Sequence, residues 1–309
     1  MPTKEGPGRA RQRIKGLEMK APETIRSSEL DEGPRDECGV VGLTGVERAS
    51  EMPFLCLYAL QHRGQESAGI VSSDGHKVYK HVGSGLVADA FSDPKLLGTL
   101  QGHMAIGHNR YSTTGGTGII NSQPLVANMK AGTMAISHNG NFTNSGMVRY
   151  ELEDEGSIFQ TTTDTEVLAH LNARSKAKEW HEKIGESLNR IRGAYSITLL
   201  TEDRIFAMRD PDGVRPLCIG KRDDAYFVVS ETCALDLIRA EYIRDINPGE
   251  LVEISDAGIA SYQVVPPTSG HRCIFEFVYF SRPDSKIFNE NVDKVRRKMG
   301  KNLALESPA

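Results

Sequence analysis

No apolar run in this chain approaches the roughly 20 residues needed to cross a bilayer, so no membrane partner is expected. No charge of one sign dominates either. The net charge of −4 gives no reason to expect nucleic acid or an anionic surface as partner. There is no C-x-x-C pair: Cys38, Cys56, Cys218, Cys233 and Cys273 are odd in number and scattered. That fits a reducing compartment, the cytoplasm, and not a disulfide framework. His62, His103, His108 and His138 lack metal-ligand spacing, and Gly83-Ser84-Gly85 lacks the βαβ context of a dinucleotide loop. The first 37 residues contain no secretory h-region. They are polar, carry Pro2, Pro7, Pro22 and Pro34, and run from basic (Lys4, Arg9, Arg11, Arg13, Lys15) to acidic (Glu29, Asp31, Glu32, Asp36, Glu37). Glu5, Glu18 and Glu23 speak against a transit peptide. Residues 1–37 read as a disordered leader, removed before Cys38.

What is present is a body of ordinary globular composition, 39% hydrophobic and 25% charged over 309 residues, enough for one large domain or two. Short apolar runs punctuated by turns predict strands at 40–41, 69–71, 104–106, 134–136, 196–200, 204–208, 225–230 and 250–254. Helices are predicted at 51–63, 164–172 and 179–192, the last ended by Gly193. Many strands with a few grouped helices suggest layered sheets flanked by helices. After Pro266-Pro267, residues 273–280 read as an apolar strand and 291–305 as a basic amphipathic helix. A strand and a helix cannot close a core, so 266–309 reads as the start of a truncated second domain. One echo stands out: Met104-Ala105-Ile106-Gly107-His108-Asn109 recurs as Met134-Ala135-Ile136-Ser137-His138-Asn139. If the two strands lie side by side in one direction, the loops after them open on one sheet edge.

Cys38 heads the first strand, in Asp36-Glu37-Cys38-Gly39-Val40-Val41-Gly42. Placed first in a mature chain, it carries a thiol to attack with and an α-amine, of reference pKa about 8, to act as base. Otherwise it is a small buried apolar residue. Arg110 ends the echo's first strand and precedes Tyr111, Ser112, Thr113, Thr114 and Gly115. It could grip a carboxylate through two parallel hydrogen bonds, with the loop bending over the ligand, or be a solvated arginine. Asn139-Gly140 could supply an amide and a backbone N–H to an oxyanion, or form an ordinary hairpin turn. Asp164 could cap the helix it opens or hold an ammonium. Arg63, in Leu60-Gln61-His62-Arg63-Gly64-Gln65-Glu66-Ser67-Ala68-Gly69-Ile70, could orient the nucleophile's surroundings or pair with a carboxylate.

Together these pieces resemble class II glutamine amidotransferases, which are N-terminal-nucleophile hydrolases, and within them the amidophosphoribosyltransferases. The discriminating strings are the one from Leu60 to Ile70 and Tyr279-Phe280-Ser281-Arg282-Pro283-Asp284-Ser285. The resemblance implies an α+β fold, a four-layer αββα sandwich over 38–265, followed by the first strand and helix of a phosphoribosyltransferase-type α/β domain. Cys38 would then attack the side-chain amide of glutamine, and Asn139 and Gly140 would bind the oxyanion. Arg110 would hold the substrate carboxylate and Asp164 its ammonium, while Arg63 would support the site. Tyr111, Ser112, Thr113, Thr114 and Gly115 would begin a closing glutamine loop. In the full-length protein the ammonia would react with phosphoribosyl pyrophosphate, with Mg2+, to give 5-phosphoribosylamine. Cys273 would be the first ligand of a possible [4Fe–4S] cluster there, and glutamine hydrolysis itself needs no cofactor. A homo-oligomer is implied. The rival readings are a hexosamine-forming class II amidotransferase and a non-catalytic module on the same fold.

Overall fold

The computed structural model describes residues 37–111 and 118–308. The expected leader, Ser112, Thr113, Thr114 and Gly115 lie outside the described residues, apart from Glu37. The chain opens with β1 (Gly39–Thr44), α1 (Glu51–Ala59), the hairpin β2 (Ser67–Ser73) and β3 (Val78–Ser84), α2 (Val87–Ala90), α3 (Lys95–Thr99) and β4 (Met104–Arg110). A second group follows: β5 (Leu125–Met129), β6 (Gly132–Phe142), α4 (Ser145–Asp154), α5 (Thr165–Arg174), α6 (Trp180–Leu188), β7 (Gly193–Leu200) and β8 (Ile205–Arg209). The chain returns to the first group with β9 (Cys218–Arg222), β10 (Ala225–Val229), α7 (Thr232–Ile238) and β11 (Glu241–Asp245), and to the second with β12 (Glu250–Ser255) and β13 (Gly258–Gln263). The short hairpin β14 (Lys286–Ile287) and β15 (Glu290–Asn291) leads into α8 (Val292–Glu306).

Two antiparallel sheets result, ordered β11-β9-β10-β1-β4-β2-β3 and β13-β12-β8-β7-β6-β5. Helices α1, α2 and α7 cover the outer face of the first sheet, and α4, α5 and α6 that of the second. The expected αββα sandwich is therefore present. Its central strands are buried on both faces, which is why they read as unbroken apolar runs instead of alternating ones.

Side chains alternate across a strand, so the clusters fix which residues face inward. Val41 and Leu43 pack toward α1 and α7, whereas Val40 packs between the sheets. Cys38 shares Val40's phase. In β4, Met104 and Ile106 pack between the sheets, so His108 and Arg110 share that inner phase; in β6, Ala135 places Ser137 and Asn139 there too. Three of the expected site residues thus converge on the space between two sheets for reasons of register alone.

Two expectations change. The echo strands β4 and β6 are not neighbours in one sheet but face each other across the sandwich, where His108 Nε2 donates to the His138 carbonyl at 3.0 Å. Their shared apolar phase reflects burial on both faces of both sheets. Residues 273–280 are not a strand: 276–280 form a single wide helical turn closed by Ser281 N–H donating to the Glu276 carbonyl at 3.1 Å. A short apolar run is ambiguous between strand and helix. In the coiled form the Glu276 carboxylate accepts from the buried Arg63.

Candidate active site

A small pocket at one end of the sandwich is lined by Cys38, Arg110, Tyr111, Gln123, His138, Gly140, Thr163 and Asp164. Five expected residues, Cys38, Arg110, Tyr111, Gly140 and Asp164, meet on its wall. Asn139 stands one residue behind the wall. Arg63 and Cys273 are not on it.

Cys38 is 5% exposed. Its thiol donates to the Tyr111 carbonyl at 3.4 Å, and the Tyr111 N–H returns a contact to Sγ at 3.5 Å. Burial pushes the thiol up to about 12, against the help of the Tyr111 backbone, and the neighbouring Glu37 adds to the rise. The resting group is therefore a neutral S–H. It can act as a nucleophile only if a base takes its proton during attack.

Arg110 ends β4, buried, with Nη1 4.0 Å from Glu66 Oε2. The turn of Gly64 lies directly beneath it: a Cβ there would come within 2.8 Å of the Arg110 carbonyl group. Only glycine allows the Leu60–Ile70 segment this approach.

Asp164 holds the N-cap position of α5 yet makes no cap bond. Its Oδ2 instead accepts from the Phe142 N–H at 2.8 Å, and Oδ1 lies 3.7 Å from His138 Nδ1. Burial would raise this carboxyl, but His138 and the Phe142 N–H outweigh it and hold the group below the usual carboxylate range. The capping alternative is thus replaced by an anion at the pocket. Arg110 and Asp164 on one wall suit a ligand that carries both charges.

Asn139-Gly140 is not a turn. Both residues lie inside β6, opposite Ser196 and Tyr195 of β7. Gly140 has φ +148°, and a Cβ there would fall 2.0 Å from the Ala194 carbonyl oxygen, so no other residue fits. Asn139 is fully buried, and neither its Nδ2 nor its Oδ1 has a hydrogen-bond partner among the described residues.

Arg63 lies beneath the pocket, not on its wall, so the structure does not place it against a substrate. Its Nε donates to the Cys38 carbonyl at 3.2 Å. Nη1 donates to Glu231 at 2.5 Å and to Glu276 at 3.0 Å, and Nη2 to Glu276 at 2.8 Å. Glu231 also accepts from Ser285 Oγ and the Arg282 N–H and lies 2.8 Å from His62 Nε2. Burial alone would push Glu231 up; Arg63, His62 and Ser285 hold it down to about 2.

Sequence reasoning missed several members. Gln123 orders the wall by accepting the His138 N–H at 2.7 Å and donating to Thr165 at 3.2 Å. Glu231 and Glu276 carry the network under Cys38. For Glu276 there was a signal: a lone carboxylate within Ile274-Phe275-Glu276-Phe277-Val278. His138 had one too, as a member of the echo. Gln123 had one as the far end of the glutamine loop expected to run from Tyr111; Thr163 and Glu231 had none. Cys273 is half-buried, its N–H bonded to the Val214 carbonyl. Among the described residues no group of three or more His, Cys, Asp or Glu side chains could hold a metal ion.

The family profile described as "Glutamine amidotransferase domain" matches residues 108–237. Among curated proteins and solved structures the chain is similar to amidophosphoribosyltransferases. It is 48% identical over 290 residues to the chloroplastic amidophosphoribosyltransferase of Vigna aconitifolia, covering 94% of this chain and 59% of that one. With the Bacillus subtilis amidophosphoribosyltransferase it shares 45% identity over 276 residues, covering 89% and 58%. The solved B. subtilis glutamine phosphoribosylpyrophosphate amidotransferase, complexed with ADP and GMP, superposes with a TM-score of 0.84 at 44% identity, covering 88% of this chain and 59% of that one. The chain thus spans about half to three-fifths of the length of the curated relatives it matches. The hexosamine-forming alternative is not favoured by these relatives.

Proposed function

We propose that this chain hydrolyses the side-chain amide of glutamine at Cys38. In a protein of its relatives' full length, the ammonia released would go on to phosphoribosyl pyrophosphate and give 5-phosphoribosylamine. The observation that carries the reading is the meeting of Cys38, Arg110, Gly140 and Asp164 on one pocket, although 126 positions separate the first from the last.

Free glutamine carries a carboxylate and an ammonium on its α-carbon. Arg110 takes the first and Asp164, held ionised, takes the second. Two opposite charges at fixed positions leave one orientation, with the side-chain amide directed at Sγ. The α-amine of Cys38, free once residue 37 is removed, takes the thiol proton as sulfur attacks. The amide oxygen becomes an anion, and the Asn139 amide and Gly140 N–H are the donors that meet it. Collapse breaks the C–N bond and releases ammonia, the amine returning the proton to the leaving nitrogen. Water then hydrolyses the thioester to glutamate. Arg63 takes no part in bonding: by gripping the Cys38 carbonyl it fixes where Sγ stands.

Five free cysteines support a reducing compartment such as the cytoplasm. We assign to the full-length protein the homo-oligomeric state and the magnesium accompanying its sugar-phosphate substrate. Any [4Fe–4S] cluster also belongs there, and Cys273 would supply at most one of its thiolates.

The test is the intact mass of the purified protein after treatment with an electrophilic glutamine analogue. A chain beginning at Cys38 with one adduct on that residue is the expected result. An unmodified chain that still carries Glu37 would leave a non-catalytic module as the better reading.

A further inference from the structure

Glu37, the residue before the nucleophile, is not a loose connector. It is buried to 7% exposure, and its carboxylate accepts from Arg215 Nη2. Arg215 comes from the loop between β8 and β9, far along the chain, and its guanidinium also lies 3.5 Å from Glu276 and over the Phe280 ring. Its Nε has no hydrogen-bond partner among the described residues, so Glu37 supplies its principal bond. Beneath Cys38, then, the buried Arg63 and the partly buried Arg215 face three buried carboxylates (Glu37, Glu231, Glu276), with the half-buried His62 at the edge.

Burial raises the Glu37 carboxyl above its usual range, Arg215 opposes the rise and Glu276 adds to it. Removing Glu37 frees the Cys38 α-amine and takes away a negative group that raises the Cys38 thiol. A group needed only in the mature enzyme would have no reason to make its main contact with a residue that departs.

Resting on the proposed N-terminal role of Cys38, we infer that the Glu37–Arg215 ion pair seats the junction between residues 37 and 38 for cleavage, with Arg215 as positioning residue and Glu37 as the specificity determinant of the leader. In that step the Glu37 C–Cys38 N bond breaks. Water gives its oxygen and one hydrogen to the Glu37 carbonyl carbon, and its other hydrogen to the Cys38 nitrogen. The pair holds the peptide beside the Cys38 carbonyl that Arg63 already grips, so both sides of the scissile bond are anchored by arginines.

Glu37 offers a clean test, because it leaves with the leader and the mature protein from any Glu37 variant is chemically the wild type. The full chain is expressed as wild type, Glu37→Ala, Glu37→Gln and Arg215→Met, and the fraction beginning at Cys38 is followed over time by intact mass. Loss of a charge-assisted bond should slow maturation by about tenfold or more in Glu37→Ala and Arg215→Met, with Glu37→Gln between them and the wild type. Once formed, the mature chain from Glu37→Ala should label with the glutamine analogue as the wild type does. Maturation of Glu37→Ala and Glu37→Gln at the wild-type rate overturns the inference and leaves the glutaminase reading intact. A wild-type chain that keeps Glu37 and still labels at Cys38 overturns both.

Discussion

On the pocket side of Cys38, buried polar atoms stand without partners among the described residues: both ends of the Asn139 amide, Ser137 Oγ and His138 Nε2. On the opposite side, Arg63, Glu231 and Glu276 are fully buried, and every Arg63 nitrogen donates to a carboxylate or to the Cys38 carbonyl. The two clusters lie on either side of one residue and follow opposite rules. An unmet buried donor or acceptor costs about 1–3 kcal/mol, a penalty that a fold sustains where a ligand relieves it. A fully paired buried charge cluster gives little net stability but fixes geometry, since moving one member strands another. One cluster receives and the other holds. Cys38, the proposed nucleophile, sits at their junction, as the proposed electrostatic catalysis requires: donors must already be in place when charge develops.

The largest effect should come from breaking the junction itself. Cys38→Ala removes the thiol and, with it, both the attack and the thioester, so glutamine hydrolysis should fall by more than about 1000-fold while the thermal unfolding profile stays close to wild type. Measurable turnover in that variant would sink the mechanism. Next comes the receiving cluster. Asn139→Ala deletes one oxyanion donor without emptying any paired network, so kcat should drop by about 100-fold or more with KM nearly unchanged. If KM rises and kcat holds, Asn139 binds the ground state and the comparison between the clusters loses its catalytic meaning. Arg110→Ala should act the other way, raising KM for glutamine about 10- to 100-fold through the lost charge-assisted bonds. An unchanged KM would remove its carboxylate role.

How far the sequence reaches follows from the same contrast. The receiving cluster was legible because its members lie in or next to short apolar runs: Arg110 after Met104-Ala105-Ile106, Asn139-Gly140 after Met134-Ala135-Ile136. Period-two alternation puts Cys38 in phase with Val40, and Arg110 with Met104 and Ile106; which phase faces inward is decided by the packing between the sheets. The holding cluster was legible only in Arg63, as an arginine that could pair with a carboxylate; its partners were not. Arg63, Glu231 and Glu276 are far apart in sequence, and a salt bridge leaves no periodic trace. The same blindness explains residues 273–280. Their apolar pattern predicts a strand, but 276–280 form a turn in which the buried Glu276 carboxylate, its partner Arg63 distant in sequence, is paired. Local pattern located the groups that meet a ligand; pairing between distant charges located what supports them.

The smallest effect is the most specific to the holding cluster. Glu231 titrates near 2 in the folded protein against an ordinary 4.5, because Arg63, His62 and Ser285 outweigh its burial. A carboxyl depressed on folding contributes stability that is complete above its unfolded pKa and is lost as pH falls through the folded value. That contribution should therefore disappear between about pH 4.5 and pH 2. Glu231→Gln keeps the shape and removes the titration. At neutral pH it should melt below wild type, since Arg63 and His62 lose a partner. As the medium is acidified, the wild-type melting temperature should fall faster than the variant's, and the two curves should converge. Curves that stay parallel across this window would mean that Glu231 is not the charge that secures Arg63. The grip on the Cys38 carbonyl would then rest on Glu276 alone, whose two oxygens bind both guanidinium ends.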